Sequence, residues 1–262
     1  MKKIYYIIAG LISVCAIYSC EKTAVQEIAG PVNGARVKFF NFALNGPSVN
    51  FYANDLKVSA VTSATGAEAT AGTNYSLVFP ATNNYAVLSP GTYDLKSIIP
   101  RTATANPNTV ISTINKNLEV EKYYSLYTCG LYNTTTRTSD SFIIEDTLPA
   151  IDTSTAYVRF VHVSHNANPF DFIMKNTTSG VETLVAANVA FKTGSTYAKV
   201  PSGVYDLILR YPNNTTNVVV RTAVGLVKAN VYSFSLRGDI TIPYTAATTV
   251  VNRPFIDNTP NR

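Results

Sequence analysis

Ala156-Tyr157-Val158-Arg159-Phe160-Val161-His162-Val163-Ser164 is the stretch on which the reading of the fold turns. Its opening repeats Ala35-Arg36-Val37-Lys38-Phe39, which lies 121 residues earlier. In each, Val and Phe fall on one face of an extended chain and a cation, Lys38 or Arg159, on the other. Apolar residues at a period of two are the signature of a strand. Two further segments recur in the same order. Pro90-Gly91-Thr92-Tyr93-Asp94-Leu95 returns as Ser202-Gly203-Val204-Tyr205-Asp206-Leu207, an offset of 112. Tyr124-Ser125-Leu126-Tyr127-Thr128-Cys129-Gly130 returns as Tyr232-Ser233-Phe234-Ser235-Leu236-Arg237-Gly238, an offset of 108. Ordered anchors with a slowly falling offset mean two copies of one unit, the second with shorter loops.

The segments between the anchors are rich in Thr, Val, Tyr, Ile and Phe, which suit a pleated surface. Turn clusters separate them: Asn45-Gly46-Pro47, Ser89-Pro90-Gly91, Pro201-Ser202-Gly203 and Pro212-Asn213-Asn214. No segment carries a helical period with caps. Many short strands at turn-separated intervals mean an all-β chain of two tandem, immunoglobulin-like antiparallel β-sandwiches, each of roughly 100 residues. The boundaries read as 35–146 for the first copy, 147–155 for a linker and 156–251 for the second. Residues 252–262 read as a C-terminal tail, with a last strand near Thr248–Val251 and fraying beyond it. Gly91 and Gly203 would supply a positive φ at the turn, and Tyr93 and Tyr205 would plug the sandwich end like a tyrosine corner.

Ahead of the first copy stand Lys2 and Lys3, then 14 apolar or small residues from Ile4 to Ile17. A bilayer-spanning helix needs about 20, so this length is that of a signal-peptide core. The run ends in Ile17-Tyr18-Ser19-Cys20, which resembles a bacterial lipobox, with Tyr18 where a small residue is commoner. Residues 1–19 then read as a lipoprotein signal peptide, Cys20 as the lipidated residue and 20–34 as a tether. Several acyl chains on one residue anchor a protein stably to a membrane.

Composition narrows the function classes. Charged residues make up 14% of the 262, against about 25% in ordinary soluble domains, while 46% are apolar. The chain therefore has a core to bury and is not disordered. Its net charge of +5 falls to +3 once Lys2 and Lys3 are removed, and no basic run of five occurs, so nucleic acid is not an expected partner. Ser-elbow, phosphate-loop, HExxH and EF-hand motifs are all missing, and no enzymatic activity, cofactor or metal is expected. His162 and His165 are the only histidines. Two imidazoles fall short of the three or four ligands zinc takes, although Asp171 would make a third if its strand lay alongside. A metal-binding or hydrolytic protein using His162, His165 and Asp171 is thus the alternative from another class. The first copy has Asn41 and Asn50 where the second has His162 and Asp171, which excludes two equivalent sites. Cys129 aligns with Arg237, so its parity puts it on the outer face as an exposed or half-covered thiol with no partner for a disulfide. Asp94 and Asp206 repeat in register but sit in separate copies, and an acid at the start of a strand binds a turn amide or a neighbouring Lys or Arg.

Val158-Arg159-Phe160-Val161-His162-Val163-Ser164 followed by Asn168-Pro169-Phe170-Asp171-Phe172 resembles the opening of the domain of unknown function 4397. The Pro-Gly-x-Tyr turn and the late Tyr-Ser…Gly strand fit its later parts. Asp146-Thr147-Leu148-Pro149-Ala150 resembles the linker of its tandem lipoprotein members, many of them from Bacteroidota. The resemblance covers nearly all of 35–247 and implies an immunoglobulin-like sandwich in the cell envelope, with no established activity. The reading that results is a lipid-anchored protein of the outer membrane, facing the surface or the periplasm. It would serve as a non-enzymatic binding, adhesion or structural module, with a glycan or protein as its external partner, or as a periplasm-facing scaffold. Contact would fall to the loops at the sandwich ends, through Asn41 and Asn45 in the first copy and His162, His165 and Asp171 in the second. Cys20→Ala is expected to move the protein from the detergent phase to the aqueous phase on Triton X-114 partition. A variant that stays with the detergent would overturn the lipobox reading.

Overall fold

Alternating side chains commit Ala35–Asn41 and Ala156–His162 to sheets. The structure, a computed structural model that describes residues 33–59, 71–81 and 83–262, shows both as strands. The signal peptide, Cys20 and the tether up to residue 32 lie outside the described residues. The first copy contains β1 (Ala35–Asn41), β2 (Asn50–Ala53), β3 (Leu56–Lys57), β4 (Leu77–Phe79), β5 (Ala86–Leu88), β6 (Gly91–Ile98), β7 (Val110–Leu118), β8 (Tyr123–Asn133) and β9 (Thr138–Glu145). The second contains β10 (Ala156–His162), β11 (Phe170–Asn176), β12 (Glu182–Val189), β13 (Thr193–Gly194), β14 (Ala198–Val200), β15 (Gly203–Arg210), β16 (Val219–Leu226), β17 (Val231–Arg237) and β18 (Phe255–Pro260). Among the described residues there is no helix.

One sheet of the first copy runs β4-β1-β8-β9, with β5 also on β1, and the other runs β3-β2-β6-β7. The second copy has β13-β10-β17-β18, with β14 on β10, and β12-β11-β15-β16. Each order becomes the other when strand numbers shift by nine places, so the internal repeat is a repeat of topology as well as of sequence. The pairs are antiparallel except β1–β8 and β10–β17, which run parallel. A parallel pair needs a long crossover, and here the whole second sheet of each copy supplies it.

Each copy closes on its own core. Val37, Phe39, Phe51, Leu95, Ile111, Tyr124 and Leu126 fill the first. Val158, Phe160, Phe172, Leu207, Phe234 and Ile256 fill the second. The tyrosine plugs are as expected: the Tyr93 hydroxyl donates to the Ser89 carbonyl at 3.0 Å and that of Tyr205 to Pro201 at 2.9 Å. Gly91 takes a φ of +150°, but Gly203 is not among the positive-φ glycines.

The opposite face of each β1-type sheet is not solvent. It packs on the other copy, and residues 33–262 form a single compact unit. Half of this seam is apolar: Phe40, Phe42, Tyr127, Cys129 and Phe142 of the first copy meet Val161 and Val163 of the second. Tyr127 lies between Phe40 and Phe142, with ring centroids 4.2 and 5.0 Å away. The other half is a buried charged network. An Arg159 Nη2–H donates to Asp146, and Arg159 Nε–H donates to Ser233 at 2.7 Å. Asp146 also accepts from Tyr85 at 2.9 Å and Ser125 at 2.8 Å. Lys38 Nζ donates to the Pro260 carbonyl at 2.7 Å. The two cations hold matching positions, each over the tyrosine of its own copy: Lys38 is 4.6 Å from the Tyr85 ring centroid and Arg159 4.8 Å from that of Tyr197. Asn261 stands where the first copy has Asp146. It accepts from Ser233 at 2.7 Å and donates to Tyr85 at 2.6 Å. Burial lowers the Lys38 ammonium to about 8, with Asp146 opposing and Arg159 adding repulsion.

Two expectations change here. Cys129 does point away from its own core, as its parity requires, but the second copy covers that face and the thiol is fully buried. Burial, and then Asp140, raise its pKa, which makes it unreactive. Residues 248–251 form no strand, and residues 255–260 do not fray. They form β18 against β17, with Ile256 fully buried and Asn261 locked into the seam. The linker is also tied, with Lys199 donating to Asp152 at 2.8 Å.

Asp146→Ala would leave Arg159 buried without its carboxylate. Loss of one partner of such a pair costs about 3–5 kcal/mol. A matching fall in unfolding free energy is expected in urea titrations. A loss below about 1 kcal/mol, the size of an exposed ion pair, would mean that the apolar half alone holds the seam.

Candidate functional site

The histidine reading depends on where β10 and β11 aim their side chains. His162 follows Val158 and Phe160 on the inward face of β10 and is fully buried. Its ring lies 5.4 Å from that of Phe170 and 6.2 Å from that of Phe191. Nε2 is 3.3 Å from the Asn168 carbonyl, so Nε2 carries the hydrogen and Nδ1 is a buried acceptor with no partner among the described residues. Burial lowers the His162 pKa to about 4, against the pull of that carbonyl. His165 is half-buried in the following loop. The Asp171 carboxylate accepts the Asn188 N–H at 2.7 Å, at a register shift between β11 and β12. The structure therefore does not bring His162, His165 and Asp171 together. Among the described residues no group of three His, Cys, Asp or Glu is placed to hold a metal ion.

The loop residues of the first copy divide in the same way. Asn41 is fully buried, and its Nδ2 bridges the carbonyls of Pro47 at 3.0 Å and Thr73 at 2.9 Å. It ties loops together, and its burial, like that of His162, removes it from ligand contact. Asn45 is exposed with a φ of +58°, and it accepts from Asn252 of the second copy at 2.6 Å. Asp94 accepts from Asn115 at 2.7 Å and Asp206 from the Ala223 N–H at 2.9 Å. Both acids are strand fasteners.

The feature with chemistry to offer lies at the end of the seam. Phe255 of β18 is surrounded by three guanidinium groups, Arg221 at 4.9 Å, Arg253 at 5.2 Å and Arg237 at 5.4 Å from its ring centroid. One carboxylate answers them: Asp257 accepts from Arg237 Nε at 2.6 Å. Burial raises the Asp257 pKa, and Arg237 pulls it back. Arg221 is spent on the Ile256 carbonyl at 2.7 Å and Arg253 on that of Tyr244 at 2.7 Å. Gly238, with φ +98°, lets the Arg253 carbonyl come closer than any side chain would allow. A cleft of about 270 Å³ opens above, lined by Ser76 of the first copy and Arg237, Thr248, Val250, Val251, Arg253 and Phe255 of the second.

Arg253, Phe255 and Asp257 did not stand out in the sequence, because 252–262 read as a tail. A signal was present: the first copy has a strand after Gly130, and the second needs its counterpart after Gly238. Arg253-Pro254-Phe255-Ile256-Asp257 is one of the segments able to supply it.

The profile of the Domain of unknown function (DUF4397) matches the chain twice, over residues 35–173 and 156–255. The chain belongs to the DUF4397 family. None of the curated proteins matches it. The two matches start with β1 and β10; the first runs on through β10 into β11, so the two overlap over residues 156–173, and β18 of this DUF4397 protein runs past the end of the second.

His162 generates a pH test. Its folded pKa, near 4, lies below the unfolded value near 6.5, so the unfolded chain binds the extra proton between them. The stability contributed by neutral His162 is present above 6.5 and lost as pH falls towards 4, by at most about 3 kcal/mol. In unfolding titrations at pH 7 and pH 4.5, His162→Gln should lose less stability than the wild type. Equal losses would place His162 in a wetter site than described.

Proposed function

We propose that this DUF4397 protein is a lipid-anchored component of the cell outer membrane with a non-enzymatic role, binding an external glycan or protein through surface built jointly by its two copies. The observation that carries this reading is the shared wall of the Phe255 cleft, where Ser76 comes from one copy and the arginines from the other. A buried charged network fixes the copies to one another, so a partner meets a preorganised surface and little ordering cost is due on binding. The Ile17-Tyr18-Ser19-Cys20 segment supports the anchor, and the modest positive charge supports partners other than nucleic acid.

Proteinase treatment of intact cells tests this. Loss of the protein from intact cells is the expected result. Protection until the outer membrane is breached would overturn external binding and leave a periplasm-facing scaffold.

A further inference from the structure

We infer that the cleft over Phe255 is a binding site for one hexuronate ring, a monosaccharide-sized ligand that carries a single carboxylate. The inference rests on the reading of the protein as a binding module and supplies the chemistry of its site.

The charge count at the cleft sets the ligand's charge. Two guanidinium groups line it, Arg237 and Arg253, and Asp257 already pairs with Arg237. Arg253 faces no carboxylate among the described residues, and its Nε and Nη2 make no hydrogen bond there. One positive charge is therefore left over, with Arg221 adding to the local potential from the other side of Phe255. Gathering half-buried cations around one aromatic ring raises their mutual repulsion, and a bound anion relieves it. A guanidinium edge with two free N–H groups fits the two oxygens of a carboxylate. A monoanion balances Arg253, the one cation of the lining that has no carboxylate partner among the described residues.

The rest of the lining sets the ligand's shape. Val250 and Val251 offer apolar surface, 38% and 65% exposed, and the edge of Phe255 closes the lining between its guanidinium groups. Ser76 and Thr248 contribute hydroxyls. Apolar side chains beside hydroxyls suit a sugar ring, whose C–H face packs while its hydroxyls hydrogen-bond. About 270 Å³ lies just below the usual range for drug-sized ligands, enough for one ring. The first copy has no such site, because Cys129 stands where the second has Arg237.

Calorimetric titration of the full-length protein in detergent tests the assignment, with sodium glucuronate as ligand. Glucose lacks the carboxylate, acetate lacks the ring, and inorganic phosphate replaces both. Glucuronate should bind at least tenfold more tightly than any of the three and weaken as salt is added. Arg253→Gln should weaken it about tenfold or more, the loss of one charge-assisted contact. Thr248→Glu, at an exposed position on the rim, should abolish binding through repulsion while leaving thermal unfolding unchanged. Methyl glucuronide separates two sources of the ring: equal affinity means a chain terminus, and weaker affinity means the free acid. Phosphate or acetate binding as tightly as glucuronate, or normal binding by both variants, would overturn the site. Proteinase accessibility is independent of the ligand. A shaved protein that ignores glucuronate loses this site but keeps its external role, and a protected protein that binds glucuronate does the reverse.

Discussion

The Arg159–Asp146 contact joins the second copy to the last residue before the linker of the first, and most of the architecture depends on it. Both side chains are essentially dry. A buried ion pair is seldom a net source of stability, since each ion loses its hydration. Its effect is on choice of geometry. Lys38 and Arg159 project from the same position of two sheets laid face to face, and without an acid between them the faces would repel. Asp146, with Tyr85 and Ser125 completing its hydrogen bonds, admits one arrangement of the copies and penalises slippage. The apolar half of the seam, Phe40, Tyr127 and Phe142 against Val161 and Val163, supplies the non-directional attraction.

The seam changes what parity means in this chain. On β8, Tyr124 and Leu126 enter one core, while Ser125, Tyr127 and Cys129 enter the seam, and all are buried. A strand covered on both sides has no solvent face, so outward from its own sandwich is not outward from the protein. Cys129 shows this most plainly. Ser233 and Ser235 on β17 are equally buried although both are polar. Small hydroxyls there let Arg159 and Tyr127 approach.

Fold class, the two copies and most strand positions were legible, because alternation and internal repetition are local properties of a sequence. Tyr93 and Tyr205 were legible as plugs for the same reason. The seam was not. Whether a polar face meets water or another polar face depends on a partner surface more than 100 residues away, and Lys38 looks like any exposed lysine until Asp146 and Tyr85 arrive. The candidate site failed similarly. His162 and Asn41 drew notice as polar residues at strand ends, yet each turns inward and serves its own loops. Phe255 and its arginines converge from β16, β17 and β18 and from the loop before β18, and no single window of sequence contains them.

The network has a consequence for the order in which the molecule assembles. Lys38 lies in the first strand, and its acceptor, the Pro260 carbonyl, lies in the last. Asn261, which joins Tyr85 to Ser233, follows immediately. A chain that emerges N-terminus first can close its first sandwich early, but that sandwich then shows Phe40, Phe42, Tyr127 and Cys129 to its surroundings. The exposure lasts until everything from residue 38 to 261 has emerged. During that interval the half-made protein is a sticky surface with a buried-type lysine in its middle, and a second half-made chain offers the nearest substitute for the missing partner. Exchange of copies between neighbouring chains is thus the misassembly to which this architecture is most open.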